Sequence, residues 1–240
     1  EDGVHHCGTD IAHQIAPQAG GGDAGTTWLR GPGITCNRLS EVVIDTDYEY
    51  YSTFLGLPNP SAACVADIEA IVNEVDFAIS RDISVSTTIN TVVLRTTIDD
   101  PYTSVTAYGT LLDEHRTLWT AIPQATQPRD YVHLFTGRDL DGSVIGVAYV
   151  GVICNNSYGY GLSQVNFSST FSRRALLVAH EMGHQWNAPH DNQTGSACAA
   201  TPDGFIMNPS LGSQALQYSP CSITQMTTYR DSFAPCVSTP

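Results

Sequence analysis

Between His180 and Asp191 the chain reads His-Glu-Met-Gly-His-Gln-Trp-Asn-Ala-Pro-His-Asp. On a helix, His180 and His184 project from the same face one turn apart, close enough to grip a single cation. Asn187 tolerates the left-handed backbone region and Pro189 cannot continue a helix, so the helix is predicted to stop near Asn187 and the chain to turn back. That reversal brings His190 to the same ion from another direction. Three neutral imidazoles suit zinc (Zn2+) held tetrahedrally with its fourth position left to water, the pattern of a catalytic centre and not of a closed structural one. Glu181, beside the first ligand, is placed to take a proton from that water as general base. Two histidines on an ordinary amphipathic helix would carry little. The third histidine, the intervening turn and a downstream loop, Phe205-Ile206-Met207-Asn208-Pro209, make the arrangement specific.

The elements that must hold these groups are legible in outline. Arg173 to Trp186 reads as the ligand-bearing helix, buried because Ala175-Leu176-Leu177-Val178-Ala179 is apolar throughout. Leu39 to Asp45, Val85 to Thr97, Tyr131 to Thr136 and Val144 to Ile153 have the β-branched and aromatic density of strands. Helices are predicted for Tyr48 to Leu55, for Ser61 to Ile79, where Cys64, Ile68, Ile71, Val72, Val75 and Ile79 follow helical spacing, and for Thr110 to Ile122. A last helix should open at the capping-box pattern Ser222-Ile223-Thr224-Gln225 and end near Ala234-Pro235. Strands alternating with helices predict an α/β sandwich, and there is no internal repeat.

Residues 1–37 differ from the remainder. They carry the Gly-rich spacer Gln18 to Gly25 and little apolar periodicity, and read as an N-terminal extension or the remnant of a pro-segment preceding a domain over 38–240. The chain has 240 residues and a formal net charge of −14, with arginine as its only strongly basic residue type. No basic patch offsets phosphate repulsion, so nucleic acid is excluded as a partner. No apolar run reaches membrane-spanning length, and Glu1 to His6 has no basic region leading into an apolar stretch. Seven cysteines, none in a Cys-x-x-Cys pair, point to disulfides in an oxidising compartment and leave one thiol over.

Beyond the histidine motif, Glu41-Val42-Val43-Ile44, Leu134-Phe135-Thr136-Gly137, Gly146-Val147-Ala148-Tyr149-Val150-Gly151 with Cys154, Ile206-Met207 and Tyr218-Ser219-Pro220-Cys221-Ser222 agree with one pattern. From about Arg38 to the C-terminus the chain resembles the catalytic domain of the adamalysin or reprolysin branch of the metzincin zinc proteases, which includes the snake-venom metalloproteinases and the ADAM proteases. The family motif has Gly where Asn187 stands, and Asn is the next cheapest residue for the positive φ required there. The resemblance implies a metzincin catalytic domain: a mixed twisted sheet with helices, and the zinc helix between an upper N-terminal and a small lower C-terminal subdomain.

Function follows as an expectation: a secreted, monomeric endopeptidase acting on protein or peptide substrates. Zinc would be held by His180, His184 and His190, with Glu181 as base, Met207 as the floor beneath the ligands and Asp191 closing the motif. Substrate would add as a strand along the edge at Gly146, Val147 and Ala148. The resemblance also implies disulfides Cys154–Cys236 and Cys198–Cys221, and a calcium (Ca2+) site on Glu41, Asp130 and the carbonyl of Cys236, although Thr239 stands where the family supplies an Asn ligand. Cys36 with Cys64 is a further plausible pair. Cys7, in His6-Cys7-Gly8-Thr9, then resembles a cysteine switch whose thiolate occupies zinc in a latent form. A disulfide from Cys7 to Cys36 or Cys64 is the competing reading. Asn155, Asn166 and Asn192 open triplets that fit the glycosylation acceptor. The rival to an enzyme is a non-catalytic binding or adhesion module of the same fold, which loss of Glu181 or of a histidine would mark.

Overall fold

The structure is a computed structural model and describes residues 38–104 and 106–237. The β-branched runs form β1 (Arg38–Thr46), β2 (Val85–Val93) and β3 (Tyr131–Thr136), and two shorter strands, β4 (Gly146–Ala148) and β5 (Tyr160–Gln164), complete a sheet ordered β2-β1-β3-β5-β4. β1, β2, β3 and β5 run parallel, while β4 lies antiparallel to β5 at the edge. Parallel neighbours cannot be joined by a tight turn. The crossover between β1 and β2 contains the short helix α1 (Tyr48–Ser52) and the long helix α2 (Pro60–Ile83). Asn59 caps α2 by accepting from Ala62 N at 3.2 Å, Pro60 fills the first turn, and Ser84 ends the helix in the left-handed region.

Alternation along the strands builds two cores. Val42 and Ile44 of β1 and Tyr131 and Phe135 of β3 pack toward α2 and the helix α4 (Phe171–Gln185). Val43, Val132, Leu134 and Leu162 pack on the other face against Leu111, Leu112 and Trp119 of α3 (Tyr108–Thr120). The result is the mixed α/β architecture expected, with α4 running beneath the β5–β4 side of the sheet. The last helix, α5 (Pro220–Phe233), follows the long loop after α4.

Three local expectations are corrected. The run Val144 to Ile153 is strand only at Gly146–Ala148, because after Tyr149, whose N–H still reaches Tyr160 O, the backbone turns away and Gly151 and Val152 meet the end of α4. β5 was missed: Tyr160-Gly161-Leu162-Ser163-Gln164 has no β-branched residue, yet every one of the five is buried, because the central position of the strand and not its propensity decides. The last helix is capped not by Ser222 but by Ser219, whose hydroxyl accepts from Ser222 N at 3.0 Å with Pro220 in the first turn.

The cysteines divide as follows. Cys154–Cys236 and Cys198–Cys221 are disulfides, as the family resemblance implied. Cys64 is a free thiol buried within α2, which overturns its pairing with Cys36. Cys7, Cys36 and Thr239, together with the extension reading for 1–37, lie outside the described residues.

Candidate metal centre

The apolar run Ala175 to Ala179 sinks α4 into the core, so the residues that follow are carried there with it. His180, Glu181 and His184 are only 5 %, 5 % and 8 % exposed. The helix ends where the sequence demands: Asn187 adopts φ 74° and its N–H returns to His184 O at 2.8 Å. The exposed carbonyls of the last turn are also met from outside, His184 O by Gly151 N and Gln185 O by Val152 N, both at 2.9 Å. This is the physical use of the segment after β4. It clamps the helix end that carries the second imidazole.

After the turn His190 comes back over the helix. Its Nε2 lies 3.1 Å from Nε2 of His180 and 3.1 Å from Nε2 of His184. Each Nδ1 has an oxygen acceptor of its own: Ile206 O at 2.8 Å for His180, Ala188 O at 2.8 Å for His184, and Gln193 Oε1 at 2.7 Å for His190. A neutral imidazole carries one proton, and those acceptors hold it on Nδ1. Three unprotonated Nε2 lone pairs are thus left facing one another, which repels unless a cation lies between them. Tetrahedral zinc with bonds of about 2.0–2.1 Å sets its nitrogen ligands about 3.3 Å apart, close to the spacing present. Burial and the neighbouring imidazoles pull His180 down to about 3, and burial with the nearby His190 pulls His184 down to about 4, so both imidazoles are neutral at physiological pH and free to offer a lone pair. Among the described residues this triad is the one cluster of three such groups that could hold a metal ion.

The loop carrying Met207 packs against α4 at Gly183. The Met207 carbonyl accepts from Asp191 N at 2.8 Å, the adjacent Ile206 carbonyl anchors His180, and Asn208 Oδ1 ties the turn by accepting from Gly204 N at 2.8 Å and Phe205 N at 3.1 Å. Gly183 allows this loop to approach: a Cβ there would stand 2.6 Å from Met207 Sδ and 2.8 Å from Tyr218 Cε1. The Tyr218 ring cannot yield easily, since its hydroxyl donates to Ala179 O at 2.7 Å. Gly183→Ala should therefore lose about 1–2 kcal/mol: overpacking of a core costs about 1–3 kcal/mol, and Ala in a helix returns up to about 1 kcal/mol. Thermal unfolding should fall by a few degrees. An unchanged or raised midpoint would mean that this loop gives way freely.

Asp191 is fully buried and accepts from the hydroxyls of Ser219 at 2.8 Å and Ser222 at 3.2 Å, fastening the histidine loop to the start of α5. Ser222 is thus used for Asp191 and not for a helix cap. A second network was not foreseen. His133 of β3, fully buried, bonds Gln185 Oε1 through Nδ1 at 3.0 Å and Ser163 Oγ through Nε2 at 2.9 Å, tying the end of α4 to two central strands. The only sequence signal was a histidine inside an apolar strand.

Glu181 faces the edge strand. A Cβ on Gly146 would lie 2.5 Å from Glu181 Oε1, so the carboxylate rests against the bare backbone of β4. Burial pushes the carboxyl up to about 8; a dication among the imidazoles acts in the opposite sense. Between β4 and the histidine loop lies a cleft of about 650 Å³, lined by Gly146, Val147, Ala148, Glu181, Pro189 and His190, among others.

The residues expected to bind calcium are near one another. Asp130 N donates to Glu41 O and Glu41 N to Asp130 Oδ2, each at 2.8 Å. Cys154 N donates to Asp130 O at 3.0 Å, and the Cys154 disulfide brings Cys236 alongside. The Glu41 carboxylate accepts from Asn90 Nδ2 at 2.9 Å, and burial, reinforced by the Glu41 charge, pushes Asp130 up to about 6.

A reprolysin family model described as metallo-peptidase family M12 matches residues 37–219. The zinc metalloproteinase-disintegrin-like protein atragin of Naja atra is 33% identical over 100 residues, and a kaouthiagin-like relative from the same species is 31% identical over 100 residues. Each match covers 42% of this chain but only 16% of the relative, so the chain spans a small part of those proteins. The crystal structure of metalloproteinase-II from Bacteroides fragilis superposes with a TM-score of 0.57 at 16% identity, over 83% of this chain and 55% of that one. At that identity the likeness speaks for the fold alone.

Proposed function

The chain belongs to the M12 metallopeptidases, in the adamalysin or reprolysin branch of the metzincins, and on that premise we propose that it is a secreted zinc endopeptidase acting as a single chain. The observation that carries the proposal is the convergence of three unprotonated Nε2 atoms beside a buried carboxylate at the floor of an open cleft. His180, His184 and His190 would hold the ion. Zinc bound there supplies Lewis acidity, polarising a scissile carbonyl and making water a nucleophile near neutral pH. Glu181 takes the proton from the attacking water and delivers it to the leaving amine nitrogen, so that the peptide bond breaks into acid and amine with no net change in the enzyme. Substrate lies extended along β4, whose outer edge no strand covers among the described residues, and pairs with its main chain.

Two disulfides support an oxidising, extracellular location. Among the described residues no helix is long and apolar enough to cross a membrane. Glu41, Asp130 and the Cys236 carbonyl are proposed as a structural calcium site, and Cys7 as a thiolate that could hold the chain latent.

Hydrolysis of casein or of a quenched peptide library tests the reading, before and after limited proteolysis. Activity should vanish with a chelator and return with one equivalent of zinc; calcium alone should raise the unfolding temperature without restoring turnover. A rise after proteolysis would mark latency. No hydrolysis in any arm, with zinc bound, would favour the non-catalytic binding module instead.

A further inference from the structure

His180 and His184 give their Nδ1 protons to backbone carbonyls, which no side-chain substitution can remove. His190 is different, because its Nδ1 meets a side chain, Gln193 Oε1 at 2.7 Å, on the exposed loop that rims the cleft. The other restraints on His190 act on its backbone. Ser196 Oγ donates to the His190 carbonyl, Cys198 N donates to Ser196 Oγ at 3.1 Å, and Asp191 N donates to Met207 O at 2.8 Å. They fix where the loop runs but neither the ring rotation nor which nitrogen carries the proton.

We infer that Gln193 is the positioning residue for the third ligand: its amide oxygen keeps the proton on Nδ1 of His190 and aims the bare Nε2 at the point shared with His180 and His184. The inference rests on the zinc reading of this site. A neutral imidazole offers a lone pair at one nitrogen only, and an unsupported ring divides between two tautomers and rotates about its outer bond. Each wrong tautomer or rotamer is a population from which the ion must recruit, so losing the acceptor weakens binding without altering the fold. Partners of this kind are typically worth about ten- to a hundredfold in metal affinity. A carboxylate accepts more strongly than an amide.

The test is competition for zinc between a chromogenic chelator and the full chain, for wild type, Gln193→Ala, Gln193→Glu and Thr194→Ala. Thr194 lines the same cleft and does not hydrogen-bond His190. Gln193→Ala should bind zinc about ten- to a hundredfold more weakly, with Gln193→Glu at or above the wild-type affinity and Thr194→Ala unchanged. Unfolding midpoints of the zinc-stripped proteins should coincide, since Gln193 is exposed. Wild-type affinity in Gln193→Ala, or an equal loss in Thr194→Ala, overturns the inference. Chelator competition is blind to hydrolysis: a wild type that cleaves nothing, with the affinity difference intact, sinks the endopeptidase reading and leaves the role of Gln193 standing.

Discussion

Glu181→Gln should lower peptide hydrolysis by about a hundred- to ten-thousandfold, the range that a well-placed general base contributes, while zinc stays bound. The amide keeps the size and shape of the carboxylate against Gly146 but cannot take a proton from water. The three imidazoles do not bond Glu181 and should be undisturbed, since their Nδ1 partners are Ile206, Ala188 and Gln193. On the proposed mode of binding, in which substrate would pair with the strand edge, the loss should fall on kcat and leave KM nearly unchanged. Stoichiometric zinc by elemental analysis beside wild-type turnover in this variant would remove Glu181 from the mechanism.

The same substitution has a second readout in zinc-stripped protein. Burial raises the Glu181 carboxyl from 4.5 to about 8, with no hydrogen bond offsetting it. A folded-state value above the unfolded one means that the folded chain holds the proton more tightly. Stability from this group is therefore fully present below about pH 4.5 and is lost as pH rises toward 8. Gln does not titrate. The midpoint advantage of Glu181→Gln over wild type, measured without metal, should grow across that window and flatten above it.

How far the sequence led depended on how local each signal was. Two histidines one helical turn apart, a turn residue of positive φ and a proline are short-range facts, and the backbone obeys them at Asn187 and in the return of His190. The runs around Val42, Val85 and Tyr131 likewise needed no distant partner to be read as strands. What escaped was set by neighbours far along the chain. β5 is a strand because β3 and β4 flank it, although Gly161, Ser163 and Gln164 are poor strand formers. His133, Gln185 and Ser163 come together only when β3, α4 and β5 are packed. Ser222 fitted a capping pattern, but its hydroxyl had a stronger claim in buried Asp191, and Ser219 with Pro220 took over the helix start. Gly146 belonged to a familiar edge-strand pattern, yet nothing in the sequence shows that it faces Glu181.

That last contact carries the other large prediction. Glu181 has several staggered rotamers open to it, and the one observed is compatible only with a hydrogen in place of a side chain at position 146, since a Cβ would stand 2.5 Å from Oε1 and 2.7 Å from both Cδ and Cγ. In Gly146→Ala something must move. β4 is held by its ladder to β5, where Gly146 pairs with Ser163, whereas the carboxylate is the far end of a flexible chain, so the carboxylate is what shifts. Misplacing a reacting group by about 1 Å costs about a hundredfold, and Gly146→Ala should show a loss of that order in kcat. Zinc affinity should be unchanged and the unfolding midpoint close to wild type. Leu118→Ala is the control: its side chain, on α3, packs in the core on the face of the sheet away from α4, and its loss should leave kcat within a few-fold. Full activity in Gly146→Ala would mean that Glu181, if it is the base proposed, finds its working position without the bare strand behind it, and the contact would then be a consequence of packing alone.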